Sequence, residues 1–181
     1  MIPLANLWLP ILLSAVAVLI VSNILWMALP FWHRADYGRL ENEKALLDAV
    51  SSAKSGQYLA PYVNWSKLPP EEREAMGRRA MALTLVRNPA KFNFVGALIA
   101  WFVYLLVISL FIGYVGAVTL PRGSGNVFRV ITTVGILAWA FASVSDSIWY
   151  GKPWSVTAKV IVDGVIYGLI TGAIFCWLWP H

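Results

Sequence analysis

The chain has 181 residues, of which 59% are hydrophobic and only 13% charged, with a formal net charge of +5 and one cysteine. An ordinary soluble domain is roughly 45–50% apolar and about 25% charged, so this composition excludes disorder, a coiled coil and a conventional water-soluble enzyme. A single cysteine also excludes an intramolecular disulfide, a CxxC redox pair and a thiolate zinc site.

A bilayer-spanning helix needs about 20 mostly apolar residues, and four segments meet that requirement. The first covers residues 7–29, and no Lys, Arg, Asp or Glu precedes Arg34. The opening MIPLANLW carries no basic residue, unlike the n-region of a secretory signal, so this segment is expected to remain a helix. The second span covers 93–118, the third 128–149, interrupted by Asp146, and the fourth 156–179, interrupted by Lys159 and Asp163. The fold class expected is an all-α membrane protein of four transmembrane helices, with a small α+β or helical insertion between the first two.

Basic residues set the orientation. The turn at 119–127 and its end carry only Arg122 and Arg129. The connections at 30–92 and 150–155 carry eleven Lys and Arg between them, from Arg34 through Lys91 to Lys152. The positive-inside rule makes those connections cytoplasmic and both termini periplasmic. Trp8, Trp177 and Trp179 are expected at one interface and Trp32, Trp149 and Trp154 at the other, because amphipathic rings prefer the headgroup level.

The insertion at 30–92 divides into smaller elements. Residues 40–54 read as an amphipathic helix, and Pro70 followed by Glu71 and Glu72 reads as a helix start reaching Arg78 or Arg79. Segments 58–63 and 81–86 are β-prone and could pair across that helix, with Pro61 confining its strand to an edge. The charges here are mixed in sign and accompany no recognition motif, which argues against nucleic acid. His33 and Asp36 stand three apart, a spacing that could chelate a metal, but no second histidine is near.

The fourth span holds most of the chemistry. Gly164, Gly168 and Gly172 form a bare strip of glycine-zipper type, suited to close helix packing within lipid. Ser109, Gly113 and Ala117 offer a matching strip on the second span, and Gly135, Ala138 and Ala142 one on the third. Beside the glycines run Lys159, Asp163, Tyr167 and Thr171 at i, i+4 spacing. A carboxylate inside a span costs about 2.5–3.5 kcal/mol on insertion scales and normally faces protein or water with a partner. Lys159 is within one turn of Asp163. Asp146 is expected near the level of Lys159, and Asn23 at comparable depth. The candidate intramembrane polar cluster is therefore Asn23, Asp146, Lys159, Asp163, Tyr167 and Thr171.

The segments LPFWHRADYGRLENE, SGQYLAPY and IWYGKPWSVTAKVIVDGVIYGLITGAIFCWLWP resemble an uncharacterised group of small bacterial integral membrane proteins. The resemblance covers nearly the whole chain. It implies four helices and the bacterial inner membrane, and brings no activity, substrate or catalytic residue.

The first functional expectation is a structural or accessory membrane component, packing against a membrane-protein partner or a second copy of itself. The alternative is a small transporter or channel component using Asp146 and Asp163. HExxH, GxSxG and a phosphate loop do not occur, and two histidines leave little general-base capacity. No catalytic, cofactor-binding or metal-binding residue is assigned from the sequence. The expected partners are the lipid bilayer and other membrane helices.

Overall fold

The computed structural model describes residues 2–87 and 92–181, and Lys91, one of the basic residues used for orientation, lies outside them. Four helices are long and apolar enough to cross a membrane, over Leu4–Ala28, Phe94–Thr119, Val127–Tyr150 and Trp154–Trp177. The chain divides into two compact units, Met1–Gly38 with Phe94–His181, and Arg39–Asn93.

In the first unit a 3₁₀ turn at Leu4–Leu7 leads into α1, Trp8–Asn23. A single π turn follows at Ile24–Ala28, closed by Leu29 N–H donating to the Ile24 carbonyl. Such wide turns occur where the regular i→i−4 ladder is interrupted, here just before Pro30. Pro30 opens the short helix α2, Pro30–His33, at a position where its missing N–H costs nothing. One 3₁₀ turn, Arg34–Asp36, completes the fold-back.

Three further spans come from the C-terminal half. Helix α5, Phe94–Thr119, has 26 residues and is about 39 Å long at 1.5 Å per residue, enough for a hydrocarbon core of roughly 30 Å. The third span, Val127–Tyr150, is interrupted where one continuous helix was expected: α6, Val127–Ala140, and α7, Val144–Tyr150, follow one another across a short break. At the break Val144 N–H donates to the Phe141 carbonyl, and the Ser145 hydroxyl donates to the Ala142 carbonyl. Serine side chains compete with the helix ladder in this way, and hydropathy does not register it. Gly151, with φ of 70°, ends α7 in the left-handed conformation that glycine adopts most easily. Helix α8, Trp154–Trp177, starts after Pro153. A buried hydrogen bond of 2.6 Å between the Ser147 and Thr157 hydroxyls ties α7 to it.

Helices α6 and α8 approach backbone to backbone. A Cβ on Gly164 would lie 2.7 Å from Ala140 Cα, and one on Gly168 would lie 2.8 Å from Ile136 N. Gly172 faces Thr132, and Gly135 faces Gly168 in return. Small residues at four-residue spacing permit this approach. Ser109 of α5 accepts a hydrogen bond from Ser14 of α1 at 3.2 Å, and a Cβ on Gly113 would sit 3.1 Å from Ile11.

Two apolar clusters fill the unit. One holds Leu7, Ile11, Ile112, Ile131, Phe175 and Trp179, and the other is built on Ala15, Val18, Leu105 and Tyr167. The tryptophan belt is only partly as expected. Trp8, Trp149, Trp154 and Trp177 are exposed, but Trp179 is buried and donates to the Pro121 carbonyl at 3.1 Å. Trp32 is drawn inward by a carboxylate. An indole N–H withdrawn from water favours an acceptor, and Trp32 and Trp179 have theirs inside the protein.

The second unit is α+β. Helix α3, Glu43–Val50, is shorter than the expected 40–54 and is capped by the Asn42 side chain, which accepts from Ala45 N–H. Strands β1, Gly56–Ala60, and β2, Ala82–Val86, pair antiparallel with Gly56 opposite Val86 and Ala60 opposite Ala82. The first strand ends just before Pro61, which could not donate to the ladder. Between them α4, Pro70–Gly77, begins at the expected proline and stops a residue before Arg78. Among the described residues of this unit none is buried. A segment this small cannot shield much apolar surface by itself.

Candidate functional site

The fold-back after Pro30 carries Trp32, His33 and Asp36 against α8. His33 is 3% exposed and Asp163 2%, so both are withdrawn from the surface. The imidazole Nδ1 lies 2.8 Å from Asp36 Oδ2, and Nε2 lies 2.8 Å from Asp163 Oδ2. Trp32 Nε1–H donates to Asp163 Oδ1 at 2.8 Å. Lys159 Nζ donates to Asp36 Oδ1 at 2.5 Å and to the Trp32 carbonyl at 2.6 Å. Trp26, from the π turn, stacks on the His33 ring with centroids 3.8 Å apart and planes within 12°. Every polar atom of the two carboxylates thus has a hydrogen-bonding partner, which buried charges require.

Burial alone would raise the Asp36 pKa, but the hydrogen bonds and charges of Lys159 and His33 outweigh it and hold the carboxyl below its ordinary value. His33 lies between the two aspartates, each ring nitrogen facing a different one. That arrangement passes or holds a proton. It does not converge lone pairs on one point, and among the described residues no three His, Cys, Asp or Glu side chains form a metal-holding group.

Asp163 is also part of a cavity of about 760 Å³ between the spans. Ser22, Asn23, Trp26 and Met27 line it from the first span, and Ala97, Ala100, Trp101 and Tyr104 from α5. Trp139 of α6 and Val160, Asp163 and Tyr167 of α8 complete the wall. Most of this surface is apolar and aromatic, the usual composition of small-molecule sites. The Tyr167 hydroxyl and Trp139 Nε1 are buried without a hydrogen-bond partner. Trp101 Nε1–H donates to the Ser22 hydroxyl at 3.1 Å and stacks on Tyr104.

The six residues of the expected cluster have different surroundings. Asn23, Asp163 and Tyr167 meet at the cavity. Lys159 turns to Asp36 and not to Asp163, because the fold-back brings a carboxylate within reach of its ammonium. Asp146 is half-exposed, with Lys152 Nζ at 4.0 Å as its charged neighbour. The break after α6 and the glycine turn after α7 put that local lysine nearer. Thr171 is spent on its own helix, donating to the Tyr167 carbonyl. The expected insertion began at residue 30, but 30–38 fold with the spans.

In the sequence His33 and Asp36 stand out only as a metal-chelating spacing. The available signal was their position, one short turn beyond the first span and at the level of the aspartate-bearing end of the fourth. Trp26 and Trp32 carried no signal beyond their amphipathic character.

These features define a class: a helical protein with four helices long and apolar enough for a multi-pass membrane protein, and a buried Asp–His–Asp–Lys set beside an aromatic cavity. Comparison with family models, curated proteins and solved structures finds no match to this chain.

Proposed function

We propose that the protein is a multi-pass protein of the bacterial inner membrane that binds a small lipophilic molecule between its spans, as a transport or ligand-binding component, with Asp163 serving the site. The single observation that carries this reading is that Asp163 belongs both to the buried His33 set and to the wall of the cavity. An ionisable residue at membrane depth is costly, and its usual compensation is function or pairing. Here Asp163 has both a partner and access to the cavity.

The glycine strip of α8 is the feature that favours a structural or accessory component. Gly164, Gly168 and Gly172 lie against α6 of the same chain, which supports packing within the chain as the use of this strip. The orientation proposed keeps residues 30–92 cytoplasmic and both termini periplasmic, supported by the distribution of Lys and Arg.

The test uses the purified full chain and the neutral fluorescent probe N-phenylnaphthylamine. Saturable binding, weakened at least tenfold in Ala100→Trp, which places an indole at the cavity wall, is the expected result. Binding that stays unsaturable above the micelle background, or is indifferent to Ala100→Trp, would overturn the reading.

A further inference from the structure

The chemical class of the ligand follows from the protons and charges beside Asp163 on the cavity wall. Each nitrogen of His33 is 2.8 Å from a carboxylate oxygen. A nitrogen–oxygen pair at that distance needs a proton between its members, so the two contacts need two protons. A neutral imidazole supplies one. The Asp36–His33–Asp163 set therefore holds one additional proton, on the ring or on a carboxyl. With that proton and the ammonium of Lys159, the charges of the two aspartates are balanced. A buried group of charges is stable only when it is paired in this way.

The groups facing the set are few. Helix α8 contributes Lys159, Asp163 and Tyr167, and the turn after α2 contributes Asp36. The first span contributes uncharged Asn23 and Trp26, α5 contributes Trp101 and Tyr104, and α6 contributes Trp139. The cavity wall thus contains one carboxylate, five aromatic rings and no Lys or Arg. Aromatic faces attract cations through their quadrupole, most strongly where water is excluded. An anion would meet a carboxylate with no compensating cation on the wall.

We propose that the cavity takes a lipophilic organic cation and that the cation exchanges for the additional proton of the Asp36–His33–Asp163 set. This rests on the cavity being a ligand site. The cation enters beside Asp163, one proton leaves to solvent, and the total charge of the site is unchanged. His33 retains a single N–H, directed at Asp36, while Asp163 passes from the imidazole to the ligand. Tyr167 and Trp139 form the adjoining wall, and no bond other than the N–H or O–H of the released proton is broken.

Linkage fixes the sign. A ligand that displaces one proton binds about tenfold more tightly per pH unit of rise for as long as the free site remains protonated. The experiment compares tetraphenylphosphonium with tetraphenylborate, ions of nearly equal shape and opposite charge, as competitors of N-phenylnaphthylamine on the full chain in detergent. Tetraphenylphosphonium is expected to compete saturably, to strengthen with pH as stated, and to release one proton per chain to an indicator dye in weak buffer. Tetraphenylborate is expected not to compete at the protein. Asp163→Asn should lose the pH dependence and at least tenfold in phosphonium affinity, and Asp146→Asn neither.

Equal competition by the two ions, or phosphonium binding without proton release in the wild type, overturns the exchange even if Asp163→Asn does not fold. Saturable neutral-probe binding alongside that result leaves the cavity reading standing. Unsaturable probe binding removes both.

Discussion

His33 Nε2 and Asp163 Oδ2 lie 2.8 Å apart although 130 positions separate the residues in the chain. This contact joins the fold-back after the first span to the interior of the fourth. Removing the imidazole leaves two aspartates without their shared partner, and breaking a buried pair from one side costs about 3–5 kcal/mol. His33→Phe is therefore expected to lose about 3 kcal/mol of stability. Thermal unfolding in detergent checks this, with Arg39→Ala as a control, since the Arg39–Glu43 pair, 3.5 Å apart, is exposed. A loss no larger than the control's would refute it.

Asp163→Leu is expected to lower the unfolding temperature far more than Asp146→Leu. Asp163 is enclosed by Trp32 and His33, while Asp146 is half-exposed, where substitutions usually stay within about 0.5 kcal/mol. Asp36→Leu should behave like Asp163→Leu, because Asp36 is equally shielded and holds both Lys159 and His33.

Asp36 gives stability a defined acid dependence. Its carboxyl titrates below the ordinary value of 3.8 because Lys159 and His33 outweigh the effect of burial. A depressed carboxylate stabilises the fold above its unfolded pKa, and that contribution is lost as pH falls through the folded value. Wild type should therefore lose stability on acidification below about pH 4 more steeply than Lys159→Met, in which the chief cation is gone. Parallel acid profiles for the two proteins, followed by circular dichroism, would contradict this assignment.

Gly164→Ala places a methyl group 2.7 Å from the α6 backbone at Ala140. Forcing a side chain into such a seam costs typically 1–3 kcal/mol, so a loss of about 2 kcal/mol is expected in thermal unfolding. Gly125→Ala is the comparison, with nothing within 4 Å of the new Cβ. Similar behaviour of the two variants would mean that α6 and α8 do not pack this closely.

The proposed orientation predicts labelling. In intact cells a membrane-impermeant thiol reagent should modify a cysteine introduced at Gly125 and spare one introduced at Lys54, in a background with Cys176→Ser. The reverse pattern would place the basic connections outside.

Four long apolar helices were legible in the sequence because spanning is a local property: twenty or so apolar residues in a row suffice. The same holds for the start of α4 at Pro70, which needs only a fixed φ and acids in the first turn. The pairing of the β-prone segments was visible as propensity, though its register was not. The local hydrogen bond from Ser145 to the Ala142 carbonyl was hidden beneath a uniform hydropathy, so the break between α6 and α7 was not legible.

Composition and spacing by themselves determined that charge inside the spans is scarce and that Asp163 must have a partner. Only the tertiary structure decided which partner. Lys159 is one turn away along the helix, yet its ammonium goes to Asp36 and the Asp163 carboxylate goes to His33 and Trp32. The choice depends on the chain turning back after Pro30 and bringing three side chains to α8, a long-range placement that no helical period encodes. The charge beside the fourth long helix thus resolves into one compact ionic set, in which Asp36, His33, Lys159 and Asp163 each sit beside the group that neutralises them.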